Sequence, residues 1–301
     1  MNGDNVNIEV KSPENILGQN LQISVQSLAC VDLQTIQHCF NASFKNYYTP
    51  VQLDKHQIAE KLITEAIDLK LSFGIFNGDE LIGFMLNGID MAGNQKVAYM
   101  AASGILPEYR GYKLFYQLQE HSIQELKKAA VNKVVLEVIE QNTAAIKIYE
   151  RFNFVVNRKL NSYAGKLILH DLQPVEIEVL PTPDWELIRK NCEWKPSWQF
   201  GTNCIKRAQS NYKLLVAYSN KLAVAYCISN FDTGTVAHFG CCELEHKEIY
   251  LSALFNKISE ISSTQTISVV NVDTNACYAN TFLLSIGLSR LFTSCEMELV
   301  L

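Results

Sequence analysis

What this sequence lacks narrows it first. It has no run of about 18 consecutive apolar residues, so it offers no membrane-spanning helix. Its first twenty residues are polar and without the apolar stretch of a secretory leader, which predicts a loose N-terminal arm over 1–20. Positive charge is not in excess: 26 Lys and Arg face 31 Asp and Glu, a net charge of −5. That balance argues against a nucleic acid or an anionic membrane as partner, since either requires a basic footprint. The nine cysteines are odd in number and include no CxxC pair, and they fall in apolar runs such as 223–228. Buried free thiols in a cytoplasmic, reducing setting are therefore expected. The six histidines show no metal-ligand spacing, so no metal is expected.

What is present is concentrated between Val97 and Phe154. An apolar run over 97–106 reads as a buried strand, broken by Pro107-Glu108-Tyr109-Arg110-Gly111-Tyr112. A helical pattern follows, with Phe115, Leu118, Leu126 and Ala129 as apolar positions, then a second apolar strand over 133–138. The segment 142–154 closes the run as a short amphipathic helix. Strand, turn, helix, strand, helix implies parallel neighbouring strands. A helix that begins straight after a strand turns unpaired N–H groups and a partial positive charge outward, a site suited to phosphate. Gly111 permits close backbone approach, and Arg110 and Lys113 add fixed positive charge.

The same run resembles the GCN5-related N-acetyltransferases, a family of acetyl-CoA-dependent enzymes. Pro107-Glu108-Tyr109-Arg110-Gly111-Tyr112-Lys113-Leu114-Phe115 lines up with the family's turn, Pro-x-Tyr-Arg-Gly-x-Gly-x-Gly/Ala. Asn142, Ala145, Tyr149 and Phe154 match its later helix motif, with Asn153 where Gly is usual; Asn also suits a left-handed helix end. Lys113 and Phe115 replace two small residues. Lys113 is expected to reach the pyrophosphate with its ammonium, and Phe115 to face the core as the helix's first apolar anchor.

The resemblance implies acetyl-CoA as co-substrate, cradled by Arg110, Gly111, Tyr112, Lys113, Leu114 and Phe115. It places the thioester carbonyl against backbone at Gly104, Ile105 and Leu106, with Gly104 letting the strand bulge. It gives Asn142 to the pantetheine arm, although Asn142 also suits the N-cap of its helix. It makes Tyr149 the acid that protonates the departing thiolate, a role open to a group with an ordinary pKa near 10. A carboxylate acting through water is needed to take the acceptor's proton, and Glu137 and Glu140 are the candidates.

Before this run, 21–26 alternates as a strand, and Asp32 caps a helix carrying Leu33, Ile36, Cys39 and Phe40. Leu53-Asp54 opens a second helix with Ile58, Leu62, Ile63 and Ala66 on one stripe. The family borders its acceptor pocket with the loop between these helices, so Tyr47 and Tyr48 are candidate substrate walls, or else packing residues. Asn77-Gly78-Asp79 and Gly93-Asn94 mark hairpin turns. The alternating stretch 155–169 is expected to close the first domain as a hairpin, and 170–174 to be the linker.

The second half reads as a worn copy. A strand over 175–180, a helix capped by Asp184, a hairpin around Ser219-Asn220-Lys221 and a strand over 267–275 repeat the first half. Asn275 and Phe282 stand seven apart, as Asn142 and Tyr149 do. The phosphate turn is replaced by 240–248, which has no Arg-Gly and carries Glu243, Glu245 and Glu248.

The expected fold is α/β with a mixed α+β sheet: two acyl-CoA N-acyltransferase-like domains in tandem, each a central mixed sheet flanked by helices. Residues 21–170 form the catalytic domain and 175–301 the degenerate one. The expected activity is transfer of an acetyl group to a primary amine of a small molecule or peptide. The alternative is a non-catalytic acyl-CoA-binding or regulatory protein of the same fold. Retention of Arg110, Gly111, Asn142 and Tyr149 favours the enzyme, and the bulky Lys113 and Phe115 favour the alternative.

Overall fold

The computed structural model of the chain describes residues 22–301 apart from 46, 49–50, 169–173, 182–183 and 244. The arm expected over 1–20, Leu21 of the first strand and the linker residues 170–173 lie outside the described residues.

Among the described residues ten strands and α-helices occur in one order and then occur again. The first copy runs β1 (Ile23–Ser27), α1 (Leu33–Phe44), α2 (Lys55–Thr64), β2 (Phe73–Asn77), β3 (Glu80–Ala92), β4 (Gln95–Ile105), α3 (Leu114–Lys128), β5 (Lys133–Ile139), α4 (Thr143–Arg151) and β6 (Val155–Gly165). The second runs β7 (Glu176–Leu180), α5 (Trp185–Asn191), α6 (Thr202–Arg207), β8 (Lys213–Ser219), β9 (Leu222–Asn230), β10 (Thr235–Cys241), α7 (Lys247–Ile261), β11 (Ile267–Asp273), α8 (Cys277–Ser285) and β12 (Ser289–Val300). The chain forms two compact units, one reaching to Leu136 and including Leu299–Leu301, the other Glu137–Glu298.

In the first unit β1, β2, β3 and β4 are successive antiparallel neighbours. The turns behave as their residues dictate. Gly78 and Gly93 take positive φ (58° and 62°) in two-residue loops closed by Asn77–Glu80 and Ala92–Gln95. Asp32 and Asp54 cap α1 and α2, and Asp54 completes a capping box with Gln57. β3 alternates with period two: Phe84 stacks on Phe40 of α1 at 5.6 Å, whereas the Asn87 amide donates to Ser122 Oγ of α3 at 3.1 Å. Helices therefore cover both faces.

Three expectations are corrected here. α2 ends at Thr64, Ile63 is 64% exposed, and Ala66 lies beyond the helix with φ 56°, so the stripe of α2 reduces to Ile58 and the half-buried Leu62. Leu114, not Phe115, is the buried first anchor of α3, followed by Leu118 and Leu126, while Phe115 is half-buried. The stretch after Phe154 is one strand rather than a hairpin. β6 lies between β11 and β12, antiparallel to both, so the backbone groups of its two edges are paired by later strands and not by a turn of its own.

The second unit holds the order β12-β6-β11-β10-β9-β8-β7. Its two cores show the strand period directly. Leu215, Ala217, Ala225, Cys227 and Phe239 pack with Leu251, Leu254 and Phe255 of α7. Leu214, Val216, Tyr226 and Ile228 face Ile188, Phe200 and Ile205. The β8–β9 turn uses Asn220 and Lys221, both at positive φ (49° and 65°).

His238 of β10 is fully enclosed, its Nδ1 3.1 Å from Tyr226 Oη, and burial pushes its imidazole down to about 4. The folded chain thus refuses a proton that the unfolded chain accepts near pH 6.5, so this histidine's contribution to stability is intact above pH 6.5 and is lost as pH falls toward 4. Between pH 7.5 and 4.5 wild type should lose roughly 2–3 kcal/mol more than His238→Gln in urea unfolding. Equal losses in the two proteins would refute the burial argument.

Candidate active site

The parallel pairing of β4 with β5 covers Val97–Met100 and Lys133–Leu136. Beyond Met100, β4 continues for five residues on β3 alone, and the register against β3 skips Ala101 between Asn87–Met100 and Leu86–Ala102. The bulge is at Ala101, not at Gly104 as expected. Gly104 pairs regularly with Phe84, and its missing side chain makes room for α1: a Cβ there would lie 2.7 Å from Ser43 Cβ.

Which backbone groups face the opened edge follows from the antiparallel alternation. Leu106 N–H donates to Ile82 O at 2.9 Å, so among the strand-end backbone groups that the resemblance sets against the thioester, this one is bonded to β3. Its neighbour Ile105 has the opposite sense, with N–H and C=O turned away from β3. The Ile105 carbonyl accepts from Arg110 Nε at 3.0 Å, which agrees with that direction.

The Arg110 side chain is a brace. Besides Ile105 O, it donates through Nη2 to Ser43 O in the last turn of α1 at 2.7 Å, leaving its guanidinium committed to two carbonyls. Gly111 follows with φ 87° and nothing within 4 Å of where a Cβ would stand. Tyr112 is half-buried. Lys113 is exposed and left-handed (φ 58°, ψ 14°), serving as N-cap of α3 without a side-chain hydrogen bond. Tyr116 N–H donates to Lys113 O at 3.0 Å, and the start of a helix turns its first N–H groups outward along the axis. Open space at Gly111, the start of a fifteen-residue helix and the exposed Lys113 ammonium suit an anionic phosphate.

Tyr47 and Tyr48 end a ladder of rings. Phe84, Phe40, Phe44, Tyr47 and Tyr48 follow with centroids 4.8–5.6 Å apart, from the core to Tyr48 at 58% exposure. Phe84, at the base, lies opposite Gly104 on β4.

The remaining candidates belong to the second unit. Asn142 Oδ1 accepts from Ala145 N–H at 3.2 Å and caps α4. Tyr149 is buried on α4 against Phe154, centroids 5.7 Å apart. Asn153 takes φ 64°, the left-handed helix end. Glu140 pairs with Lys159 at 2.6 Å at the surface, and that hydrogen bond raises the Lys159 pKa. Glu137 Oε2 accepts from Asn271 Nδ2 at 2.6 Å. Asn271 is a residue that sequence reasoning missed, being buried, at φ 63°, and 134 positions away. Ser43 was missed as well, although the bare Gly104 was a signal that something approaches β4.

The second copy has lost these groups, one residue away from where the sequence located the loss. Phe154 N–H bonds Tyr149 O, and Leu288 N–H bonds Leu283 O in the corresponding helix end. Asn153 matches Gly287 (φ 93°), and the N-caps are Asn142 and Ala276. The counterparts of Asn142 and Tyr149 are thus Ala276 and Leu283, not Asn275 and Phe282.

A mixed sheet whose central parallel pair parts early, with a glycine turn and helix start following it, defines the acyl-CoA N-acyltransferase class of fold. Residues 34–154 match the model of the acetyltransferase (GNAT) family. N-alpha-acetyltransferase 30 of Schizosaccharomyces pombe is 30% identical over 95 residues, 31% of this chain and 63% of that protein, so the chain spans less than two thirds of that relative's length. Two solved structures share the fold over nearly the whole chain. A GCN5-related N-acetyltransferase of Sphaerobacter thermophilus (12% identity, TM-score 0.69) covers 92% of this chain and 95% of its own. A tandem GNAT protein from the clavulanic acid biosynthesis pathway (9% identity, TM-score 0.66) covers 93% and 98%. Among the described residues no helix is long and apolar enough to cross a membrane, and no group of His, Cys, Asp and Glu is placed to hold a metal.

Lys113 stands where the family turn carries Gly, and its left-handed backbone shows why. In equilibrium unfolding Lys113→Gly should be more stable than Lys113→Val by about 2 kcal/mol, because a β-branched residue tolerates that conformation least. Equal stability would mean that the turn is not left-handed in solution.

Proposed function

We propose that the chain is an N-acetyltransferase that uses acetyl-CoA and acetylates a primary amine of a small molecule or peptide, with its working site in the first copy. The observation that carries this reading is the family match over 34–154, which contains the turn motif and the helix motif together. The split β4–β5 pair and the open Gly111 turn support it. The similarity to an N-alpha-acetyltransferase makes a peptide α-amine the first acceptor to test. The proposed setting is cytoplasmic.

Acetyl-CoA supplies an activated acyl thioester. In this proposal the N–H groups from Gly111 to Phe115 hold its pyrophosphate, aided by the Lys113 ammonium, while Arg110 acts through the shape it gives the turn. The Ile105 N–H, directed away from β3, stabilises the negative charge that develops on the carbonyl oxygen as the amine attacks. Asn142 both caps α4 and orients the pantetheine arm. Tyr149 Oη gives its proton to the leaving thiolate. Glu137, its carboxylate fixed by Asn271, is the better candidate for taking the proton of the attacking amine through water, because Glu140 is already paired with Lys159. Tyr47 and Tyr48 form the acceptor wall.

Calorimetric titration with acetyl-CoA, paired with thiol release on a panel of peptide amines, tests this. Lys113→Glu should weaken binding on the order of tenfold by placing a carboxylate at the anion site. Tyr149→Phe should bind normally and slow transfer about a hundredfold or more. Binding without transfer to any amine would favour the non-catalytic acyl-CoA-binding reading, and no binding would end both.

A further inference from the structure

The second copy repeats the opened strand pair and then fills it with its own chain. β10 pairs with β11 only at Thr235–Ser268 and Val236–Val269. The register against β9 skips Ala237, and three residues later Gly240 lies opposite Tyr226, as Gly104 follows Ala101 and lies opposite Phe84. Gly240 is the counterpart of Gly104.

On the edge of β10 that β11 has left, Cys192 forms an antiparallel bridge with Gly240. The next residues reach every wall of the cleft. Trp194 is buried edge-on against Phe239, centroids 5.3 Å apart. The Glu193 carboxylate accepts from Tyr278 N–H and Ala279 N–H, both at 3.1 Å, in the first turn of α8. Lys247 Nζ, at the start of α7, stands 3.8 Å from the same carboxylate and 4.0 Å from the Tyr278 ring centre. Toward β11, buried Ser197 Oγ accepts from Asn271 Nδ2 at 3.0 Å, and Lys195 O accepts from Arg158 Nη1 of β6 at 2.6 Å. A strand-like backbone on β10, an anion at the start of α8 and an aromatic body between them fill the groove.

We propose that residues 192–197 are a built-in occupant of the second copy's groove, lying where an acyl carrier would otherwise lie, so that the chain keeps one carrier site, in its first copy. Only the identity of the excluded ligand rests on the acyl-carrier reading; the closure does not. The occupant also has a consequence for Glu137, because the Asn271 amide that it engages through Ser197 is the one that donates to the Glu137 carboxylate.

Hydrogen exchange followed by mass spectrometry on the full chain, with and without CoA, tests the proposal alongside calorimetric stoichiometry. The amides of 192–197 should exchange as slowly as those of β10, and CoA should leave them unchanged. Glu193→Ala should speed exchange at Tyr278 and Ala279 about tenfold, through loss of a charged acceptor. Titration should give one CoA per chain. Exchange of 192–197 at the rate of an unstructured peptide, its acceleration by CoA, or a second equivalent of bound CoA would each overturn the closure. Absence of all CoA binding would sink the proposed function of the first copy, while slow exchange at 192–197 would still uphold the closed groove.

Discussion

The fold turns on how short its central parallel pairing is. A strand edge that loses its neighbour still carries backbone groups that need partners, and a buried unsatisfied group costs about 1–3 kcal/mol. β4 loses β5 after Met100 and β10 loses β11 after Val236. Each copy answers this demand differently. The first keeps β3 on one side through Leu106 N–H, closes part of the other with the Arg110 side chain on Ile105 O, and leaves the Gly111 turn open. The second brings in Cys192 as an extra strand residue. One local geometry becomes a candidate ligand site or a piece of protein core, depending on what the neighbouring chain supplies.

Bare glycines set that geometry. Gly104 and Gly240 let an adjacent helix approach the sheet, Ser43 in one copy and Asn191 in the other, and an added methyl group would collide in both. Charged groups then hold what the glycines admit. Arg110 ties the end of α1 to the end of β4. Arg158 binds Glu296 in two-point fashion, Nε to Oε1 at 2.9 Å and Nη2 to Oε2 at 2.8 Å, with Asp273 3.3 Å away. Burial works against the charge on Arg158, but its carboxylate partners prevail and raise its pKa. The pair joins β6 to β12, strands 138 residues apart at this contact, and so fixes the register of a pairing that hydrophobic alternation alone leaves free to slip.

Much of this was legible in the sequence, and the parts that were share a cause. Asp32, Asp184 and Asn142 cap their helices as expected, Asp54 caps the helix that it opens, and Gly78, Gly93 and Asn220-Lys221 turn the hairpins, because caps and turns are local chemistry. The partner of β6 was not legible, since alternation says that a strand has two faces and not which strand lies beside it. The bulge at Ala101 leaves no residue signature, as any small residue would serve. Arg110 has the composition of a phosphate ligand, yet its guanidinium is held by two carbonyls, one of them 67 positions earlier in the chain. The occupant at 192–197 has no periodicity at all, so nothing marked it as more than a loop.

The divergence of the copies is instructive because pattern and structure place it differently. Asn275 and Phe282 keep the spacing of Asn142 and Tyr149, which makes the second copy look as though it had lost one hydroxyl. The backbone bonds at the helix ends shift the correspondence by one residue and make the loss complete: an amide becomes Ala276 and a phenol becomes Leu283, both buried. Those apolar replacements agree with Trp194 in the cleft. A groove filled by its own chain has no solvent-facing ligand to bind and no use for a proton donor, and a buried unpaired hydroxyl there would be a cost. The Glu193 carboxylate at the start of α8 takes over the N–H groups at a helix start that in α4 is capped by Asn142. Packing thus stands in the second copy where the first carries polar groups, and Asn271 holds the Glu137 carboxylate that the proposed mechanism uses.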